Sequence, residues 1–195
     1  LQAKTLESGG RWLLKAPEKL FLLAHVTRAY PVSSCGRNQR KDSTMTEKLD
    51  PLAAAPSLMK TWMSASLAVT ASLEPALTEL VKIRASQLNG CANCINMHAA
   101  EARAKGETEQ RIYLLSAWRE APCYTDRERA ALAWTDALTQ LSQGHTHEAA
   151  YEGLKAQFSE EEQVKLTLVI NVINGWNRLA VGFGVWREQP AAKAA

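Results

Sequence analysis

A chain of 195 residues with 46% hydrophobic and 22% charged side chains has the make-up of one globular domain with room for an apolar core, which excludes wholesale disorder. Four cysteines, Cys35, Cys91, Cys94 and Cys123, are too few and too unevenly spread for a secreted disulfide scaffold. The net charge of +3 is concentrated at one end: residues 1–44 hold eight basic against three acidic side chains, a net +5 that leaves −2 for residues 45–195, so no basic face for nucleic acid is expected.

The first methionine is Met45. Upstream of it the pattern is weak and is broken by Gly9, Gly10, Pro17 and Pro31. The partly apolar run Trp12 to Val26 contains Lys15, Pro17, Glu18 and Lys19 and fails as a signal-peptide core. Residues 1–44 are therefore expected to be a non-native or disordered extension, with a basic transit peptide as the alternative. Residues 45–195 are expected to form the folded domain.

From Met45 onward helical spacing dominates and strict alternation is missing. The spacing predicts a helix from about Ala54 to Val69. A second follows Ser72, with Leu73, Leu77, Leu80, Val81, Ile83 and Leu88 on one broad face, and Asn89 and Gly90 end it. A third runs from about Cys91 to Lys105 and Gly106, and a fourth from after Thr108 to before Pro122. Thr125 with Glu128, and Ser159 with Glu162, read as capping boxes. The first opens a helix through Ala130, Ala131, Trp134, Leu138 and Leu141 to Gly144, and the second opens the last long helix. A short helix from about His147 to Phe158 lies between them. The expected architecture is all-α, a bundle of six to seven helices. The most apolar stretch, Val164 to Val185, is interrupted by Lys165, Asn171, Asn174, Asn177 and Arg178, so no membrane span is expected.

The chemistry concentrates in Cys91, Cys94 and His98, with Glu79 on the preceding helix. Residues three and four apart share a helix face, so both sulfurs and the imidazole can face one pocket. The start of a helix favours the thiolate, the reactive form of cysteine. His98 can accept or relay a proton, and two cysteines at this spacing can close a disulfide. A thiolate that attacks a peroxide becomes a sulfenic acid, which a neighbouring thiol resolves. A tight turn at Asn89 and Gly90 folds Glu79 back to orient the imidazole. A close cysteine pair in a Cys-poor chain points to a reducing compartment, hence the cytoplasm.

The run Glu79-x11-Cys91-x2-Cys94-x3-His98 resembles the signature of the alkylhydroperoxidase D family, within the wider carboxymuconolactone decarboxylase-like fold. Ile173 to Leu179 (INGWNRL) and Thr125 to Glu128 (TDRE) are similar to later helices of that family, so the likeness spans about residues 50–187. The resemblance implies an all-helical subunit in homo-oligomers, trimers or hexamers. It implies reduction of small hydroperoxides with no bound cofactor, at the expense of an external thiol or dihydrolipoyl reductant. It further implies a possible second use of the dithiol, as an adapter between a lipoyl-bearing protein and a peroxiredoxin. Cys94 would attack, Cys91 would resolve, and Glu79 and His98 would relay protons. One departure is Asn93, where some members carry a histidine. The decarboxylase branch typically lacks the cysteine pair.

The residues also admit other readings. Cys91 and Cys94 can form half of a zinc site, with His98 as third ligand and Cys123, His145 or His147 as fourth. They can be a passive disulfide or two inert buried thiols. Cys123 is expected to be a lone structural thiol, and His145 and His147 exposed loop residues. Trp118, Trp134, Trp176 and Trp186 are expected to pack in the core or between subunits. Asn171, Asn174, Asn177 and Arg178 are expected to have a structural role.

Overall fold

The computed structural model describes residues 48–143 and 147–185, which lie in one compact unit, residues 43–195. The expected extension 1–44, the start at Met45, Gly144, His145 and Trp186 lie outside the described residues. Among the described residues there are eight α-helices and no strand. They are α1 (Pro51–Ala54), α2 (Pro56–Thr70), α3 (Pro75–Leu88), α4 (Ala92–Ala104), α5 (Glu109–Leu114), α6 (Asp126–Thr139), α7 (His147–Gln157) and α8 (Glu160–Phe183). The count exceeds six to seven because Pro56 keeps Ala55 out of the helical region (φ −137°, ψ 60°), which splits a single-turn α1 from α2. The element after Thr108 tightens into a 3₁₀ turn over Leu115–Ala117. α6 ends at Thr139 and not at Gly144, because Gln140 leaves the helical region (φ −109°, ψ 45°). None of these helices is long and apolar enough to cross a membrane.

Local chemistry explains the boundaries. Both capping boxes form: the Thr125 and Ser159 hydroxyls accept the N–H groups of Glu128 and Glu162, whose carboxylates reach back to the cap N–H. Gly90 (φ 65°) adopts the left-handed conformation after α3 and so permits the short turn into α4.

α3 is the centre of the bundle and packs against α4, α6 and α8. It is not amphipathic in the expected sense: every residue from Leu77 to Ser86 is buried. Leu80 and Ile83 join one apolar cluster with Leu115, Trp118 and Leu132. Leu77 and Val81 join another with Phe158, Leu166 and Ile170. Burial on all sides brings Glu79, Lys82 and Arg84 inside with it, and buried charges must be paired. Arg84 grips Asp136 of α6 with Nε to Oδ1 at 2.6 Å and Nη2 to Oδ2 at 3.0 Å. Trp118 donates its Nε1–H to the same carboxylate at 3.3 Å, and Arg119 approaches it at 2.8 Å.

α2 packs on α8 through tryptophans. The rings of Trp62 and Trp176 lie 6.0 Å apart, and Trp176 donates to the Ser66 hydroxyl at 3.0 Å. Trp62 lies so close to Gly175 that a Cβ there would come within 2.7 Å of the ring. Gly175→Ala is therefore expected to lower unfolding free energy by about 1–3 kcal/mol through overpacking, despite a helix-propensity gain of at most about 1 kcal/mol. Urea unfolding of the variant against the parent measures the sign.

Candidate functional site

The site is built on the turn between α3 and α4. Cys91, the expected helix start, is the N-cap of α4, one residue before its first helical residue, and its N–H donates to the Ser86 carbonyl at 2.9 Å. Its Sγ accepts the backbone N–H of Cys94 at 3.3 Å, so the open end of α4 faces the Cys91 sulfur. Cys91 and Cys94 are joined as a disulfide, with Cα atoms 5.4 Å apart, and both are buried. His98, one turn beyond Cys94, is buried as well.

Asparagines hold this turn against α8. Asn89 donates from Nδ2 to the side-chain oxygens of Asn174 (2.9 Å) and Asn177 (2.8 Å). Asn177 donates to the Ser86 hydroxyl at 3.0 Å, and Asn174 to the Thr139 hydroxyl at 3.1 Å. The structural role expected for Asn174 and Asn177 is thus observed within one chain, whereas Asn171 is exposed. Beside the turn, Asn89, Asn177, Arg178, Val181 and Gly182 line an open hollow of about 290 Å³.

The structure brings Glu79 to His98 across the two helices. Glu79 is almost wholly buried (1% exposed), and its Oε2 lies 3.0 Å from His98 Nδ1. Its other oxygen, Oε1, meets Lys82 Nζ at 3.3 Å and Lys105 Nζ at 2.6 Å. Burial pushes the Glu79 carboxyl up, but the His98 hydrogen bond and the lysine charges outweigh it and hold the group below the usual carboxylate range. An ionised carboxylate only accepts hydrogen bonds, so His98 Nδ1 is the protonated ring nitrogen in this contact. Half-buried Glu101 lies 3.4 Å from the same Nδ1.

All four residues singled out from the sequence lie along this α3–α4 junction. Lys82, Lys105 and Glu101 were not singled out. Lys82 follows Glu79 by three residues and Glu101 follows His98 by three, a spacing that brings side chains together on a helix. Lys105 caps α4 and carries no such signal. Among the described residues, Glu79, His98 and Glu101 are the group whose possible metal-ligand atoms lie within 4.8 Å of one another, and neither Cys123 nor His147 belongs to it. Cys123 is a half-buried free thiol packed against the Leu80 cluster. His147 is not an exposed loop residue: it begins α7, and its Nε2 lies 3.2 Å from the Ala137 carbonyl.

Comparisons with known proteins bear on the family and the fold. Residues 56–137 match the model of the Carboxymuconolactone decarboxylase family. The uncharacterized protein YdfG of Bacillus subtilis (strain 168) is 40% identical over 141 residues, 72% of this chain and 96% of that protein. Among solved structures, ATU0492 from Agrobacterium tumefaciens is a protein of unknown function suggested to be the antioxidant defence protein AhpD. It is 42% identical with a TM-score of 0.70, over 74% of this chain and 100% of that one. The debrominase Bmp8 has a TM-score of 0.64 at 19% identity, over 70% of this chain and 74% of that one; it shares the fold.

Proposed function

Because the chain belongs to the carboxymuconolactone decarboxylase family, with an alkylhydroperoxidase D-like fold, we propose that it is a thiol-dependent hydroperoxide reductase working through Cys91 and Cys94. The observation that carries this reading is the buried Glu79–His98 contact on the helix whose first turn holds the two bonded sulfurs. A charged relay buried beside a cysteine pair has a chemical use, whereas inert thiols would not need one.

In the proposed cycle the Cys94 thiolate attacks the peroxide. An S–O bond forms and the O–O bond breaks. The departing alkoxide takes a proton from the His98 side and leaves as an alcohol. The Cys91 sulfur then attacks the sulfenic acid, water departs, and the disulfide closes. An external thiol or dihydrolipoyl reductant returns two electrons and two protons. Asn93 does not titrate, so this relay consists of Glu79 and His98 alone. Passing electrons from a lipoyl-bearing protein to a peroxiredoxin would use the same dithiol.

Homo-oligomers, trimers or hexamers in the cytoplasm, belong to the same proposal. The exposed apolar side chains of α2, Leu58 and Leu67, are of the kind that association between copies would cover.

The test is chemical. Reduced protein mixed with a hydroperoxide should lose two thiols for each alcohol formed, and a dihydrolipoyl compound should restore them. If the thiols outlast the peroxide, the reading fails. Glu79→Gln should keep the turn that joins Cys91 and Cys94, yet lose about a hundredfold in kcat/KM, the usual worth of a positioned proton relay. The same substitution has a stability signature. A carboxyl lowered to about 2 in the folded state stabilises fully above its unfolded pKa, and that contribution is lost as pH falls toward 2. Acid unfolding of Glu79→Gln should therefore approach that of the parent at the lowest pH.

A further inference from the structure

We infer that Lys82 and Lys105 are positioning residues: together they occupy one oxygen of Glu79, so that the other is committed to His98 and fixes which imidazole nitrogen exchanges the proton. This rests on the relay proposed above and adds to it the groups that set its direction. Both ammonium groups lie on Oε1, at 3.3 and 2.6 Å, while His98 Nδ1 lies on Oε2 at 3.0 Å. The two oxygens are thus divided by function. Lys82 comes from α3 itself and is buried, whereas Lys105 reaches in from the C-terminal end of α4 and is partly exposed.

Geometry makes the division consequential. A carboxylate with both lysines present has no proton to donate, so Nδ1 must donate and Nε2 is the nitrogen left for the reacting atoms. Without the lysines, only the His98 contact is left to offset the burial of Glu79, and the balance moves toward the neutral carboxyl. A neutral carboxyl can donate its O–H to Nδ1, which moves the ring proton to Nε2 and removes the acceptor the relay needs. The charged and titratable groups facing Glu79 among the described residues are Lys82, His98 and Lys105, and Glu101 reaches only the His98 ring. The Glu101 carboxylate, at 3.4 Å, is the weaker contact and does not replace the Oε2 bond.

The experiment compares the full chain with Lys105→Met, Lys82→Met/Lys105→Met and Lys105→Arg. Imidazole ¹⁵N shifts of the full-length protein report the His98 tautomer without any peroxide, and a His98→Gln spectrum assigns the signal. The parent and Lys105→Arg should show the Nδ1–H form. Lys105→Met should show a mixture, and the double variant predominantly Nε2–H. In peroxide turnover, the double variant should gain an acid limb with a midpoint about two units above that of the parent. Lys105→Met should show a smaller rise, and Lys105→Arg none. Lys105→Met tests the idea even if the buried Lys82 change prevents folding. A tautomer and pH profile unchanged in Lys105→Met and in the double variant would overturn the inference while leaving hydroperoxide reduction standing. Conversely, a tautomer switch in a protein without peroxide turnover would support the clamp and reject the reductase.

Discussion

Cys94→Ser is expected to lower hydroperoxide turnover at least about a thousandfold, because a serine hydroxyl at neutral pH supplies essentially none of the anion that attacks the O–O bond. Cys91→Ser is expected to behave differently. It retains the attacking sulfur and loses the resolving one, so it should consume one hydroperoxide per chain and then stop with a sulfenic acid that dimedone traps. Single-turnover kinetics with thiol titration separates the two variants. Equal rates for Cys94→Ser and the parent would remove Cys94 from the role of nucleophile. A burst in Cys94→Ser with a dead Cys91→Ser would exchange the two roles. The structure gives that second outcome a physical basis, since the Cys94 N–H points at the Cys91 sulfur and favours charge there.

Asp136→Ala is expected to cost about 3–5 kcal/mol, because it leaves the Arg84 guanidinium buried without its carboxylate partner. Native domains have only about 5–15 kcal/mol in total, so this variant should sit close to unfolding at ordinary temperatures. The loss exceeds that of one ion pair, since the same carboxylate accepts from Trp118 and faces Arg119. Arg84→Met combined with Asp136→Leu should recover most of the stability, because apolar groups of similar volume avoid the desolvation penalty that the ions carry. Equilibrium unfolding of the single and double variants measures both statements. If the double variant is no more stable than Asp136→Ala, the loss is one of packing and not of an orphaned charge.

The all-α architecture was legible because its signals are local. Two capping boxes, the Asn89–Gly90 stop and the helical spacing are properties of adjacent residues, and they place the helix starts at Asp126 and Glu160. The site was legible for a related reason: Cys94 and His98 are one turn apart on one helix, and a tight turn folds the helix bearing Glu79 back toward them. The depth of α3 was not legible. Amphipathic spacing suggested one buried face, but α4, α6 and α8 enclose it, and only that enclosure explains why Glu79, Lys82 and Arg84 are internal. Lys105 was invisible for the same reason. It lies 26 positions from Glu79 in the chain, and no spacing rule connects a helix cap to a residue on the previous helix. The asparagine contacts to α8 span 85 and 88 positions and depend wholly on packing.

Those amide contacts divide the centre into two halves with different sensitivities. The pivot that carries the sulfurs is fastened by groups that neither gain nor lose protons, so its register is indifferent to acidity and only weakly responsive to ionic strength. The ionic contacts of Glu79, with Lys82, Lys105 and His98, lie instead around the imidazole. In the proposed reaction, a shift in solution conditions would therefore retune proton delivery and leave the turn that carries the sulfurs in place.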